Sequence, residues 1–169
     1  MRQVPPGEQP RITDLSSIQA ENFKFRNTSF LYDKDLPYDM LKYQSRERLR
    51  HRIWNVRNGD LRKLMRRFPI NHSLCEQCAG WMHAVAGRHF FPDANHRTAL
   101  ALLRKLLKDN GIVPGQWPPQ VLRETVIRSH KVRKEIEDIR LDTLYRRDRM
   151  FLVWILFFKT VLRSPTEER

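Results

Sequence analysis

Nine residues of this 169-residue chain, HFFPDANHR at 89–97, gather an imidazole, a carboxylate, a carboxamide and a guanidinium around one proline. Those groups suit phosphate chemistry. His89 titrates near neutrality and can take a proton from an attacking hydroxyl. Asp93 is a hard oxygen ligand able to hold Mg²⁺ on a polyphosphate. Arg97 falls in the first turn of a helix restarting near Asn95, where a guanidinium adds charge-assisted bonds to phosphate oxygens. That turn also presents backbone N–H groups at the positive end of the helix dipole. Asn95 either caps the helix or contacts phosphate. Base, metal ligand, anion cradle and positive clamp are together the parts of a phosphate-transfer site. Singly, each has a structural use instead: Asp93 or Asn95 as an N-cap, Arg97 as a surface charge, His89 as a helix-terminal residue on the dipole.

The flanking elements must position these groups, and their pattern is helical. From Leu36, apolar residues Met40, Leu41, Leu49, Ile53, Trp54 and Val56 recur at three-to-four spacing, and Asn58-Gly59 is expected to end that run. A short helix is expected from Asp60 to about Phe68. Ser73 and Glu76 have the capping-box spacing and open a helix that runs into His89. The helix from Asn95 carries Leu100, Leu102, Leu103, Leu106 and Leu107 and stops at Asn110-Gly111. After a Pro114–Pro119 loop, helices are expected over about 120–138 and 141–163. Upstream, Phe23, Phe25, Phe30 and Tyr32 alternate around Arg26-Asn27-Thr28-Ser29, which reads as a small β-hairpin. The whole is an all-α domain with one possible hairpin, spanning 12–165 after a polar, proline-rich and disordered segment at 1–11.

The stretch resembles the signature of the Fic/Doc (Fido) superfamily, HxFxxGNGRxxR, and more closely its Doc-type form, HxFxDANKR followed by TAL. His89, Phe91, Asp93, Ala94, Asn95 and Arg97 fall in register, and Thr98, Ala99 and Leu100 follow. The resemblance implies a Fido-like helical bundle that transfers AMP or a phosphoryl group from ATP, or another nucleoside triphosphate, with Mg²⁺, to a protein hydroxyl. It implies His89 as general base, Asp93 as Mg²⁺ ligand and Phe91 as the loop's core anchor. Ala94, Asn95 and His96 would form the backbone anion hole, with Arg97 on phosphate. The hairpin at 23–32 would be the flap that aligns a target strand. His96 stands where most Fic proteins have Gly and Doc-type proteins have Lys, and a side chain there crowds the cradle. Leu100 stands where AMP-transferring members usually carry a second Arg. Both departures lean toward the Doc type, whose implied reaction is phosphoryl transfer, and leave both reactions open. Ser17–Asn22 (SIQAEN) fits the family's inhibitory pattern [S/T]xxxE[G/N]. Glu21 would lack its usual arginine partner, and the match is read as coincidence.

Composition widens the choice. With 32 Lys and Arg against 19 Asp and Glu, the net charge is +13. That excess points to an anionic partner: nucleic acid, nucleotide or an acidic protein such as an antitoxin-like inhibitor of a toxin. RNA or DNA binding is therefore the alternative class, and a catalytically silent Fido domain is another. Two cysteines, Cys75 and Cys78, are too few for a disulfide framework, fit no four-ligand zinc site and read as small core residues. The N-terminus lacks a signal-peptide core, so a cytoplasmic protein is expected. MFLVWILFF at 150–158 is shorter than the ~20 residues of a membrane span and reads as a buried helix.

Overall fold

Apolar residues at helical spacing set most of the architecture. The computed structural model describes residues 9–162. In chain order the α-helices are α1 (Ala20–Leu31), α2 (Arg46–Trp54), α3 (Asn58–Arg66), α4 (Leu74–Met82), α5 (Asn95–Asp109), α6 (Pro119–Arg133) and α7 (Arg149–Val161). A 3-10 turn at Asp39–Lys42 precedes α2, and a π turn at His83–Gly87 prolongs α4. The described residues are all-α and contain no strand.

The centre of the bundle is the segment 74–87. Ser73 Oγ accepts the Glu76 N–H, as the capping spacing requires. From Gln77 to Gly87 every residue is buried, Cys78 among them, while Cys75 is half-buried. α4 packs chiefly on α7 and α5, the π turn on α5, and α6 on α7. The apolar run at 150–158 is indeed a buried helix face. Trp154, Phe157 and Phe158 pack with Trp117 at ring separations of 5.1–5.9 Å, each burial contributing roughly 1.5–3 kcal/mol. Among the described residues no helix is long and apolar enough to cross a membrane.

A polar anchor joins the π turn to α7. Buried His83 places Nε2 2.9 Å from Asp148 Oδ2, while Asp148 Oδ1 accepts the Phe151 N–H and caps the helix. Burial alone would raise the Asp148 pKa. The His83 contact, the Phe151 N–H and Arg146 outweigh it and hold the carboxyl at about 2.

Several expected boundaries are corrected. Residues 23–32 form most of α1, not a hairpin. Ala20, Phe23, Lys24, Asn27 and Leu31 are buried at helical spacing, whereas Phe25 faces solvent, so the alternating aromatics do not share a sheet face. Leu36 does not begin a helix; Ser45 does, by capping α2 through the Arg48 N–H. Asn58-Gly59 starts α3 instead of ending α2. α6 stops at Arg133, and α7 begins only at Arg149, where Asp148 supplies the cap. The Asn110-Gly111 stop is as read: Gly111 takes φ +70° and the Ile112 N–H returns to the Leu107 carbonyl. Of the segment expected to be disordered, residues 1–8 lie outside the described residues, as do 163–165 of the expected domain. Ile12 is buried, with Gln77 bonded to both its N–H and its carbonyl.

Candidate functional site

Between the π turn and α5 the chain makes a tight loop bounded by two left-handed residues, His89 and Ala94, each at φ 58°. Neither is glycine, so each costs on the order of 1–3 kcal/mol and persists only where the surroundings over-determine it. Those surroundings are on α1 and in the segment before α2. Asn95 spans the loop, its Oδ1 accepting the Phe91 N–H (3.0 Å) and its Nδ2 donating to the Phe91 carbonyl (2.9 Å). Phe91 is buried in the core, as expected of a loop anchor. Asn27 Nδ2 donates to the Asp93 carbonyl (2.9 Å) and to Thr98 Oγ1 (3.0 Å). The Tyr38 hydroxyl accepts the Asp93 N–H (3.1 Å) and donates to Asn27 Oδ1 (2.9 Å). Burial pushes the Tyr38 phenol far above its ordinary range, so it stays a neutral donor. Sequence reasoning missed Asn27, Tyr38 and Thr98, because no local pattern marks residues 55 to 71 positions from their partners.

His89 lines a cleft of about 400 Å³ whose other walls are Phe90, Phe91 and Pro92 and, from the end of α2, Arg52, Asn55 and Val56. Its ring keeps an exposed edge. Partial desolvation, then the Arg133 charge, lower its pKa to about 4 against a smaller opposing pull from Asp93. At neutral pH it is therefore unprotonated, the form a general base requires.

Asp93 lies beside it, but its carboxylate already serves the protein. Oδ1 accepts the Ala94 N–H (2.7 Å), and Oδ2 accepts the N–H groups of Asp39 and Met40 (3.4 Å for the latter), capping the 3-10 turn. Oδ1 keeps a further lone pair. Among the described residues no three His, Cys, Asp or Glu side chains gather as a metal site. A lone carboxylate still fits Mg²⁺, which commonly takes one or two carboxylates, with phosphate oxygens and water completing its shell.

The remaining motif residues divide. The N–H groups of Asn95, His96 and Arg97 are first-turn donors without intrahelical acceptors, whereas that of Ala94 is held by Asp93. Ala94, Asn95 and His96 are buried, and none of them lines the cleft. His96 Nε2 lies 2.8 Å from Ser129 Oγ, and its ring meets that of His130 of α6 at a tilt, the centroids 4.0 Å apart. Burial, then His130 and Arg133, push its pKa well below the ordinary value. Arg97 turns away from His89: its guanidinium donates to the carbonyls of Leu36 and Pro37 and lies 4.8 Å from the Phe30 ring centroid. Glu21 is exposed and meets Asn58 at 3.3 Å.

The positive charge near His89 comes from α6 and Arg88 instead. Arg133 Nε donates to the Gly87 carbonyl (2.9 Å), and Arg88 lies over Phe90 (5.5 Å). RSHKVRK at 128–134 reads locally as a solvated basic face; its signal was the His-x-x-Arg spacing, which puts His130 and Arg133 on one side of the helix. No protein-family model, curated protein or solved structure matches the chain.

Proposed function

We propose that the protein is a Fic/Doc-type transferase that moves a phosphate-containing group, AMP or phosphoryl, from a nucleoside triphosphate to a hydroxyl of a target protein. The carrying observation is that His89, in the HxFxDANxRTAL sequence, stands unprotonated on the wall of a cleft with Asp93 beside it. His89 takes the proton of the acceptor hydroxyl. The hydroxyl oxygen bonds to phosphorus, and the bond from phosphorus to the departing ADP (phosphoryl transfer) or pyrophosphate (AMP transfer) breaks. A conjugate acid of pKa about 4 makes a weak base in the free protein. A loose transition state needs little proton removal before the leaving group departs. Asp93 would hold Mg²⁺, which supplies charge neutralisation on the phosphates. Asn95, Tyr38 and Asn27 keep the loop in one conformation. The reading implies a cytoplasmic protein, and as a toxin it would be matched by an acidic inhibitor.

Candidate target proteins incubated with ATP labelled at the α- or γ-phosphate test it. Transfer of γ-label alone means a kinase, transfer of α-label an AMP-transferase. His89→Ala is expected to lower either rate by about 10²–10⁴-fold. Transfer that survives this change removes His89 from the mechanism. A second reading, a catalytically silent Fido domain, is favoured by the His96–His130 contact at the start of α5; movement of neither label supports it.

A further inference from the structure

The end of α6 is pinned at three points. Ser129 Oγ accepts the Trp154 indole N–H (2.9 Å) and contacts His96, the His130 ring lies tilted against His96, and Arg133 Nε reaches the carbonyl of Gly87, two residues before His89. These contacts hold His130 and Arg133 beside the loop together with Arg88. Among the described residues, Arg88, Arg133 and Lys134 form no ion pair. Among the described residues, two buried nitrogens there find no hydrogen-bond partner, Arg88 Nε and Nδ1 of the almost fully enclosed His96. Native structures leave few buried polar atoms unsatisfied, and clustered like charges favour an anion between them.

We infer that Arg88, His130 and Arg133 form an anion site, supplied by α6 and the loop entrance, that takes the terminal phosphate of a polyphosphate. The ligand identity rests on the transferase reading; the site does not. The site supplies the positive clamp that Arg97, held by the carbonyls of Leu36 and Pro37, does not.

Titration of the full chain with inorganic tripolyphosphate, without metal or acceptor, tests this directly. Arg133→Gln and Arg88→Gln are each expected to weaken binding by at least about tenfold, whereas Arg66→Gln, on distant α3, leaves it unchanged. Arg88→Gln spares the Gly87 anchor, so it tests the charge even if Arg133→Gln unfolds the helix end. In the unaltered protein, the ring resonances of His89 and His130 should move on tripolyphosphate addition while those of exposed His72 stay. Unaltered affinity in the Arg88 variant, stationary His130 resonances, or binding of a thymidine oligonucleotide in place of tripolyphosphate overturns the site. Arginine-dependent binding without label transfer leaves the site standing and removes the transferase; normal transfer by Arg133→Gln does the reverse.

Discussion

The two sides of the 88–97 loop are built on opposite principles. Toward α1, the polar groups of Asn27, Tyr38, Asp93 and Asn95 answer one another in a connected network. Toward α6, imidazoles and guanidiniums are crowded together, and Arg88 Nε and His96 Nδ1 have no partner among the described residues. A satisfied network stabilises the empty protein. A crowded, underpaired one costs stability until something binds. The first side holds geometry, and the second is the one on which a ligand acts.

Substitutions should separate the two. The largest loss is expected on the α1 side: Asn27→Ala strands Tyr38 Oη, Thr98 Oγ1 and the Asp93 carbonyl, and should cost about 3 kcal/mol by urea unfolding. Asn95→Ala releases both bonds to Phe91 and should cost roughly 2 kcal/mol, with target labelling falling further than the stability loss explains. An Asn95 variant that labels normally would show that the loop needs no clamp.

The titration of the α6 side gives an intermediate effect. His89, at about 4, and the more deeply enclosed His96 both have folded pKa values below the ordinary 6.5. Between those limits the unfolded chain binds more protons, so the stability present above 6.5 is lost as pH falls through this window. The thermal midpoint should drop between pH 7 and pH 4.5, and His96→Gln should flatten that slope. A midpoint insensitive to pH in this range would contradict the enclosure of His96. The smallest effect has the opposite sign: Arg88→Gln, removing a like charge and an unpaired N–H, should stabilise the ligand-free protein by roughly 0.5–1 kcal/mol.

Legibility followed the range of the interactions. The Ser73 cap and the Asn110-Gly111 stop depend on neighbours within a turn or two, and the unbroken apolar run at 150–158 announces a buried helix whatever covers it, so all three could be read along the chain. The α1 helix could not. Asn27, Thr28 and Ser29 are weak helix formers, and the bonds that make Asn27 welcome inside a helix come from Tyr38, Asp93 and Thr98. The same holds for the site: His89 and Asp93 were visible in the motif, whereas the redirection of Arg97 toward Leu36 and the arrival of Arg133 at Gly87 depend on how distant segments pack.

The π turn at His83–Gly87 has a consequence for the register of everything after it. A widened turn holds one residue more than the α-helical spiral would, and such insertions recur where function needs an off-period orientation. Wound as an ordinary α-spiral, the same residues would swing residue 89 by about 100° around the axis, with no chemical group of the motif altered. Aim, in this protein, is encoded by a surplus residue about one turn upstream of the imidazole it directs.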